Sequence, residues 1–371
     1  MSTNRQRRGL SSPAERHERA NQRGAASSRS VSEETRAKLD ELQDQLGDLQ
    51  ESLLLTKVQD EMEDQQTTLS LLPPRIGELR SRGYVFRSFL EKKVGVLAEQ
   101  WEETGVRAHR EVSRRTRELE RGAKEAESAL RVAMAGGSTQ VARAEAAVQA
   151  LEHKIDAAHA SIQAMYDTLQ RNVSQTESQI EQIEWLLEEL DEASFQLHAA
   201  EDPVAASKCQ FLETEKDGPK GVLYLTDERL IFEQKEKKAT KKVLFIATEK
   251  ERVQGLIFAV PVGQIEEVKA SQKGFMGRKE MLELLFTPEA DLSGAMLRLR
   301  GADNEEWARL IGRVKSGEIA RERTRPKDEA AVESARSAPT TCPTCGAALD
   351  VEIVRGMREI TCEYCGTVIR L

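Results

Sequence analysis

Val141, Ala144, Val148, Leu151, Ile155, Ala158, Ile162, Met165 and Leu169 follow one another at spacings of three and four. Only an α-helix lines such positions up on one face, and alternating threes and fours is the seam by which two helices interlock. A second spacing of four in a row, from Leu169 to Val173, predicts a stutter that locally unwinds a left-handed supercoil. Thr176, Ile180, Ile183, Leu187, Leu190 and Leu197 then resume the seam. An earlier seam runs through Leu39, Leu42, Leu46, Leu49 and Leu53, shifts by one residue at Leu54, and continues through Val58 and Met62. It should end before Pro73-Pro74, which lack the N–H groups a helix interior needs. Phe86, Leu90, Val94, Leu97 and Trp101 mark a further apolar face, and Gly136-Gly137 breaks the pattern. Residues 31–200 are therefore expected to form coiled-coil helices over 31–72, 75–135 and 138–200.

The last two segments are each roughly 90 Å long at 1.5 Å per residue, and a two-glycine break between equals predicts an antiparallel hairpin. Charge agrees: residues 75–135 carry fourteen bases and ten acids, and 138–200 three and eleven. On the second segment Arg107, Arg110, Arg114, Arg117, Arg121, Lys124 and Arg131 form one basic stripe, and on the third Glu177, Glu181, Glu184, Glu188 and Asp191 form an acidic one. With the turn at 136–137, facing positions sum to about 273, so the acidic stripe should meet Arg82, Arg87, Lys92 and Lys93. The basic stripe faces only Glu145, Glu152 and Asp156. Its spare charge reads either as an ordinary solvated face or as a site for the first helix, another protomer or a polyanion. Helices this polar need partners to bury their single stripes, which predicts a homo-oligomer.

Residues 1–30 hold seven Arg, two Glu and almost no large apolar side chain, so they read as a disordered basic arm. No apolar run approaches the 18 residues of a membrane-spanning helix and no secretory core follows the start, which predicts a cytoplasmic protein, peripheral if it meets a membrane.

From residue 201 the period changes to two. CQFLE, GVLYLT, RLIFEQ, KVLFIAT, QGLIFAV, QIEEVKA, MLELLF and AMLRLR are short β-rich runs. DNEEWARLIGRVKSG closes them as an amphipathic helix, with Asp303 as N-cap and Glu306 as its capping-box partner. Seven or eight strands and a terminal helix in 201–320 describe a partly open β-barrel plugged by that helix. GVLYLTDERLIF (221–232) and VPVGQIEEVKASQKGFMGRKEMLELLF (260–286) resemble the GRAM branch of the pleckstrin-homology superfamily, in which a strand ending in "LT" turns over a polar pair into "RLIF". The resemblance implies a PH-like fold that binds membranes or partner peptides, and no catalytic residue. Lys235, Lys237, Lys238, Lys241 and Lys242 fall between the runs RLIFEQ and VLFIAT. In the resembling superfamily, basic inter-strand loops often meet phosphorylated headgroups, so this loop is a candidate anionic-surface contact; the alternative is a solvated hairpin tip charged to stop its edge from pairing.

Residues 321–341 read as a charged linker, and 342–371 as a small β module. Cys342-x2-Cys345 and Cys362-x2-Cys365, sixteen residues apart, have the spacing of a four-thiolate zinc site. Glycines 346 and 366 follow each pair and allow a tight knuckle. Leu349, Val351 and Ile353 alternate as a strand should. Thirty residues cannot build a core alone, so one zinc ion is expected to supply the folding energy, and four thiolates close its coordination sphere. The tail resembles a zinc ribbon, a family that binds nucleic acid or protein. Cys209 reads as a small buried hydrophobe, and His17, His109, His153, His159 and His198 as residues of solvated faces. No nucleophile–base order or phosphate-cradling loop is present, so the expectation is a non-enzymatic scaffold. It would oligomerise through its coiled coil and dock protein partners or an anionic membrane surface. The alternatives are a membrane-remodelling filament protein, or a nucleic-acid-binding protein using the basic arm, the Arg stripe and the ribbon. The net charge of −8 argues against the last.

Overall fold

The computed structural model describes residues 13–135, 137–213, 217–243, 246–273 and 279–371, without the side chains of 13–32, 237–251 and 273. The chain divides into two compact units, Met1–Thr68 with Ala98–Arg171, and Leu69–Leu97 with Asn172–Leu371. No helix among the described residues is long and apolar enough to cross a membrane.

The first unit is helical. It holds α1 (Pro13–Ser52), α2 (Thr56–Ser81) as far as Thr68, α3 (Leu90–Met134) from Ala98, and α4 (Ser138–Asp191) as far as Arg171. Residues 13–30, expected as a disordered arm, are the start of α1; Pro13 takes the first helical position, where its missing N–H costs nothing, and no proline follows. Residues 1–12 of that arm lie outside the described residues. The one-residue shift expected at Leu54 is a break between two helices. Leu55 adopts φ 52° and turns fully inward, while Leu54 is left 55% exposed. Between α3 and α4, Gly122 lies against Leu151 and Trp101 against Tyr166, so contacts descend one helix as they climb the other.

The seam of α4 differs from its reading at one position. Met165 is 38% exposed and Tyr166 only 1%, so the two successive spacings of four run from Ala158 through Ile162 to Tyr166. The phenol ring packs edge-on against Trp101, 6.0 Å between centroids, and its hydroxyl donates to Glu61 Oε2 at 3.0 Å. Tyrosine thus fills an apolar slot because its polar end finds a partner. Leu42, Leu46, Val58, Met62, Ala144, Val148, Leu151 and Ile155 are all buried within one chain. The stripes expected to require a second protomer are covered without one.

The second unit opens with a helix that sequence reading cut short. α2 runs through Pro73-Pro74 to Ser81, and the break falls at residues 82–89 instead. Leu69, Leu72, Ile76 and Leu79 keep the three-four spacing across the prolines and are buried. Four such side chains at about 1.5–3 kcal/mol each outweigh interior prolines at about 3 kcal/mol each. The acidic stripe of α4 meets mainly this helix. Glu184 and Glu177 pair with Arg75, and Asp191 with Arg82, whereas Arg87 and Lys93 reach only Gln179.

Seven strands follow: β1 (Pro203–Phe211), β2 (Lys220–Thr226), β3 (Arg229–Val243), β4 (Ile246–Pro261), β5 (Ile265–Lys273), β6 (Lys279–Phe286) and β7 (Gly294–Arg300). They form one antiparallel sheet in the order β4-β3-β2-β1-β7-β6-β5. β4 and β5 stay as its two edges, so the sheet is not closed into a barrel. Eight expected runs become seven strands among the described residues, because the described part of KVLFIAT is shared between β3 and β4. β3 runs on to Val243 and β4 starts at Ile246. Phe211, Phe232, Phe258 and Phe286 stack through the interior at 5.9–6.2 Å between centroids. α5 (Asn304–Lys315) closes on β5 and β6, capped by Asp303, whose side chain accepts from Glu306 N as its sequence predicts.

The expected linker is ordered. A 3-10 turn (Glu318–Glu322) leads into it and it contains α6 (Glu329–Ser337); Glu322 O accepts from Ser88 N, and Thr324 N donates to Val85 O. In the tail, β8 (Glu359–Thr361) pairs with β9 (Val368–Arg370), while Leu349, Val351 and Ile353 form no strand.

Candidate metal centre

The two cysteine pairs occupy two copies of one backbone knuckle. Cys342 N donates to Ala347 O and Gly346 N to Cys342 O, both at 2.8 Å; Cys362 N donates to Thr367 O at 2.9 Å and Gly366 N to Cys362 O at 2.8 Å. Gly346 and Gly366 take φ of 73° and 74°, a left-handed conformation that a side chain disfavours by about 1–2 kcal/mol. This is why glycine follows each pair.

The knuckles bring four sulfurs to one place. Cys342 Sγ lies 3.6 Å from Cys365 Sγ, Cys345 Sγ 3.7 Å from Cys362 Sγ, and all four lie within 4.8 Å of one another. Four sulfurs at about 2.3 Å from one tetrahedral ion would stand about 3.8 Å apart, so the donor set fits a metal ion. The thiols are already unequal. The Thr367 hydroxyl, 3.2 Å away, and its backbone N–H pull Cys365 down to about 6. A backbone hydrogen bond at Cys345 lowers Cys342. Cys345 itself, despite the opposing Ala347 N–H, is pushed up to about 12 by the surrounding thiols.

The tail is fastened by a strap that sequence reasoning missed. Ala199 N donates to Ile353 O and Arg355 N to Leu197 O, both at 2.9 Å, and His198 bridges Val354. Arg355 then reaches Asp202 Oδ1 at 2.8 Å. It joins a buried ion network built on the very turn, Thr226-Asp227-Glu228-Arg229, that carries the "LT–RLIF" resemblance. β2 does end at Thr226 and β3 begin at Arg229. Glu201, fully buried, accepts from Thr226 Oγ1 at 2.5 Å, from Arg229 Nε at 3.0 Å and from a second Arg229 nitrogen at 2.7 Å. Asp202 and Asp227 exchange backbone and side-chain hydrogen bonds, and Arg323 pairs with both. Lys327 bonds Asp227 at 2.9 Å and Glu228 at 2.8 Å.

Each shift in this network has a cause. His198 Nδ1 at 3.3 Å and Lys327 hold Glu228 down to about 2, and the same Glu228 contact raises His198. Asp227 is raised, because burial outweighs its hydrogen bonds. His198, Glu201 and Glu228 also come within 4.8 Å of one another, but Arg229 and Lys327 already neutralise the carboxylates, so this is an ion network rather than a cation site. The only signal in sequence was the charge density of TDER; its partners come from far along the chain.

The other predicted residues scatter. Lys235, Lys237, Lys238, Lys241 and Lys242 lie on β3 rather than in a loop, because the hairpin extends past them. Lys235 is occupied by Glu189 at 2.5 Å and Glu192 at 3.0 Å; the side chains of the other four lie outside the described residues. His198 is not on a solvated helix face but half-buried in the network. Cys209 is buried, which pushes its thiol up. Arg107, Arg110, Arg114, Arg117, Arg121, Lys124 and Arg131 are all exposed on α3.

No family model matches the chain, and no curated protein matches it. Among solved structures it is similar to the Vps36 N-terminal PH domain, at 16% identity and TM-score 0.22, covering 32% of this chain and 82% of that one. It is also similar to the C-terminal domain of a Leishmania infantum protein, at 16% identity and TM-score 0.21, covering 31% and 84%. The DH/PH domains of PDZ-RhoGEF, in complex with activated RhoA, give 12% identity and TM-score 0.25, covering 76% and 94%. Likeness this slight carries no argument about function and does not single out the GRAM branch.

Proposed function

We propose that this chain is a non-enzymatic docking scaffold, in which a PH-like sheet domain of GRAM type meets protein or anionic membrane surfaces and one structural zinc ion holds together the C-terminal ribbon fastened beside it. The observation that carries this reading is the convergence of Cys342, Cys345, Cys362 and Cys365 on one point, all within 4.8 Å. Bound zinc would cross-link the two knuckles and, with four thiolates, keep no open position for a substrate. The chain's own residues do the rest. Gly346 and Gly366 permit the knuckles, Thr367 favours the thiolate of Cys365, and Arg355 ties the stapled module to Asp202. Docking and coiled-coil association then need no reaction centre.

Elemental analysis of the purified chain should find about one zinc per chain, and Cys345→Ser should release it and open the tail to protease. Full-length protein should also co-sediment with vesicles containing phosphatidylserine at low salt, or capture a protein partner, in the zinc-loaded form. A metal-free preparation whose tail is folded and protected would overturn the zinc reading. Identical docking by wild type and Cys345→Ser would overturn the claim that zinc serves docking.

A further inference from the structure

The basic stripe of α3 gains a meaning from where the helix buries itself. Trp101, Ala108, Val112, Leu119, Ala126 and Leu130 are among its buried side chains. At 100° per residue they centre almost opposite the row Arg107, Arg110, Arg114, Arg117, Arg121 and Lys124, all of which are exposed. Arg114 alone among them is paired within the 4.0 Å ion-pair distance, to Glu111 at 2.5 Å and Glu118 at 2.8 Å; no described carboxylate lies within that distance of the other five. Arg107 turns to the Thr104 hydroxyl at 3.3 Å and Arg121 to the Arg117 carbonyl at 3.3 Å, so both keep donors free. Among the described side chains, neither the acids of α4 nor those of α1 and α2 supply the missing charge.

We infer that this row is a binding surface for the phosphate backbone of a nucleic acid, independent of the zinc ion and of the docking reading. The row runs about 26 Å along the helix at 1.5 Å per residue, one residue wide, a line of cations suited to a line of phosphates. Five of its six cations are arginine, whose planar fork meets phosphate oxygens bidentately. A flat lipid surface fits less well. It would also meet Glu111, Glu118 and Glu125, which lie along one side of the row, and the exposed apolar side chains Val106 and Val132 stand singly beyond its two ends, with none between Arg107 and Lys124 to enter a bilayer. Contacts from such a row go to phosphate oxygens, which carry no base identity, so recognition is of backbone and not of base sequence.

The zinc-loaded full chain should be titrated by fluorescence anisotropy against a mixed-sequence 30-base-pair DNA and a single-stranded RNA of the same length. With about six phosphates neutralised, the slope of log K against log salt on duplex should be near −5, so affinity falls roughly a thousandfold from 50 to 200 mM salt. The triple variant Arg110→Gln, Arg117→Gln, Arg121→Gln removes three unpaired cations at exposed positions and leaves the Arg114 bridges alone. It should keep its helical circular dichroism and melting temperature, and its slope should fall to about half. The inference is overturned by absence of binding to either probe at 50 mM salt, or by a triple variant that binds with the wild-type slope. It is equally overturned by tighter binding to phosphatidylserine vesicles, lost in the same variant, which would make the row a lipid contact.

Discussion

Glu201→Ala isolates what the buried network contributes. The carboxylate is fully buried and accepts from Thr226 Oγ1, two nitrogens of Arg229 and His198 N at 2.5–3.0 Å. Its removal leaves the guanidinium of Arg229, only 8% exposed, with the Gln196 carbonyl at 3.0 Å and Glu352 at 3.9 Å. Breaking one side of a buried pair costs about 3–5 kcal/mol, most of it the desolvation of the abandoned charge. Arg75→Ala is the control. Arg75 and Glu184 are bidentate too, at 2.7 and 2.8 Å, but 25% and 30% exposed, and a pair that water can reach contributes about 1 kcal/mol or less. In a Trp101→Phe background, urea unfolding followed by Trp185 and Trp307 emission reports the second unit, which contains both positions. With a denaturant slope of about 3 kcal/mol per M, Glu201→Ala should lower the midpoint by about 1–1.5 M, and Arg75→Ala by about 0.3 M or less. The double variant Glu201→Leu, Arg229→Met should regain most of the loss, since no charge is then stranded. If Glu201→Ala shifts the midpoint no further than Arg75→Ala, the network is solvated and the reasoning fails.

Three further substitutions test the edge of this network and the α4 seam. His198 is raised by Glu228, so its contribution is complete below its ordinary value near 6.5 and fades as pH rises through its folded one; Glu228, held near 2, loses its share only in strong acid. His198→Gln should therefore lower the melting temperature clearly at pH 6 and little at pH 8.5, and equal losses at both would show that the pair is not formed. In the α4 seam, Tyr166→Ala should cost about 3–5 kcal/mol and Met165→Ala less than about 0.5 kcal/mol by thermal melting. The reverse ranking would restore Met165 to the core.

Local patterns decided much of this protein before any tertiary contact. The cysteine spacing with its trailing glycines dictated two knuckles, because a left-handed turn after each pair is a requirement of a few consecutive residues. Asp303 and Glu306 dictated the start of α5 for the same reason, and the helical seams were legible because burial repeats every turn. What the tertiary structure decided are competitions between local rules and distant partners. Pro73-Pro74 stay in a helix because buried leucines on either side outweigh them. Tyr166 displaces Met165 because Trp101 and Glu61, 65 and 105 positions away, serve its ring and hydroxyl. Arg323 and Arg355 are fixed on Asp202, more than 100 residues earlier, because a carboxylate leaving water demands a cation from wherever the fold can bring one. Periodicity encodes which face a residue occupies; it carries no information about which charge will be waiting there.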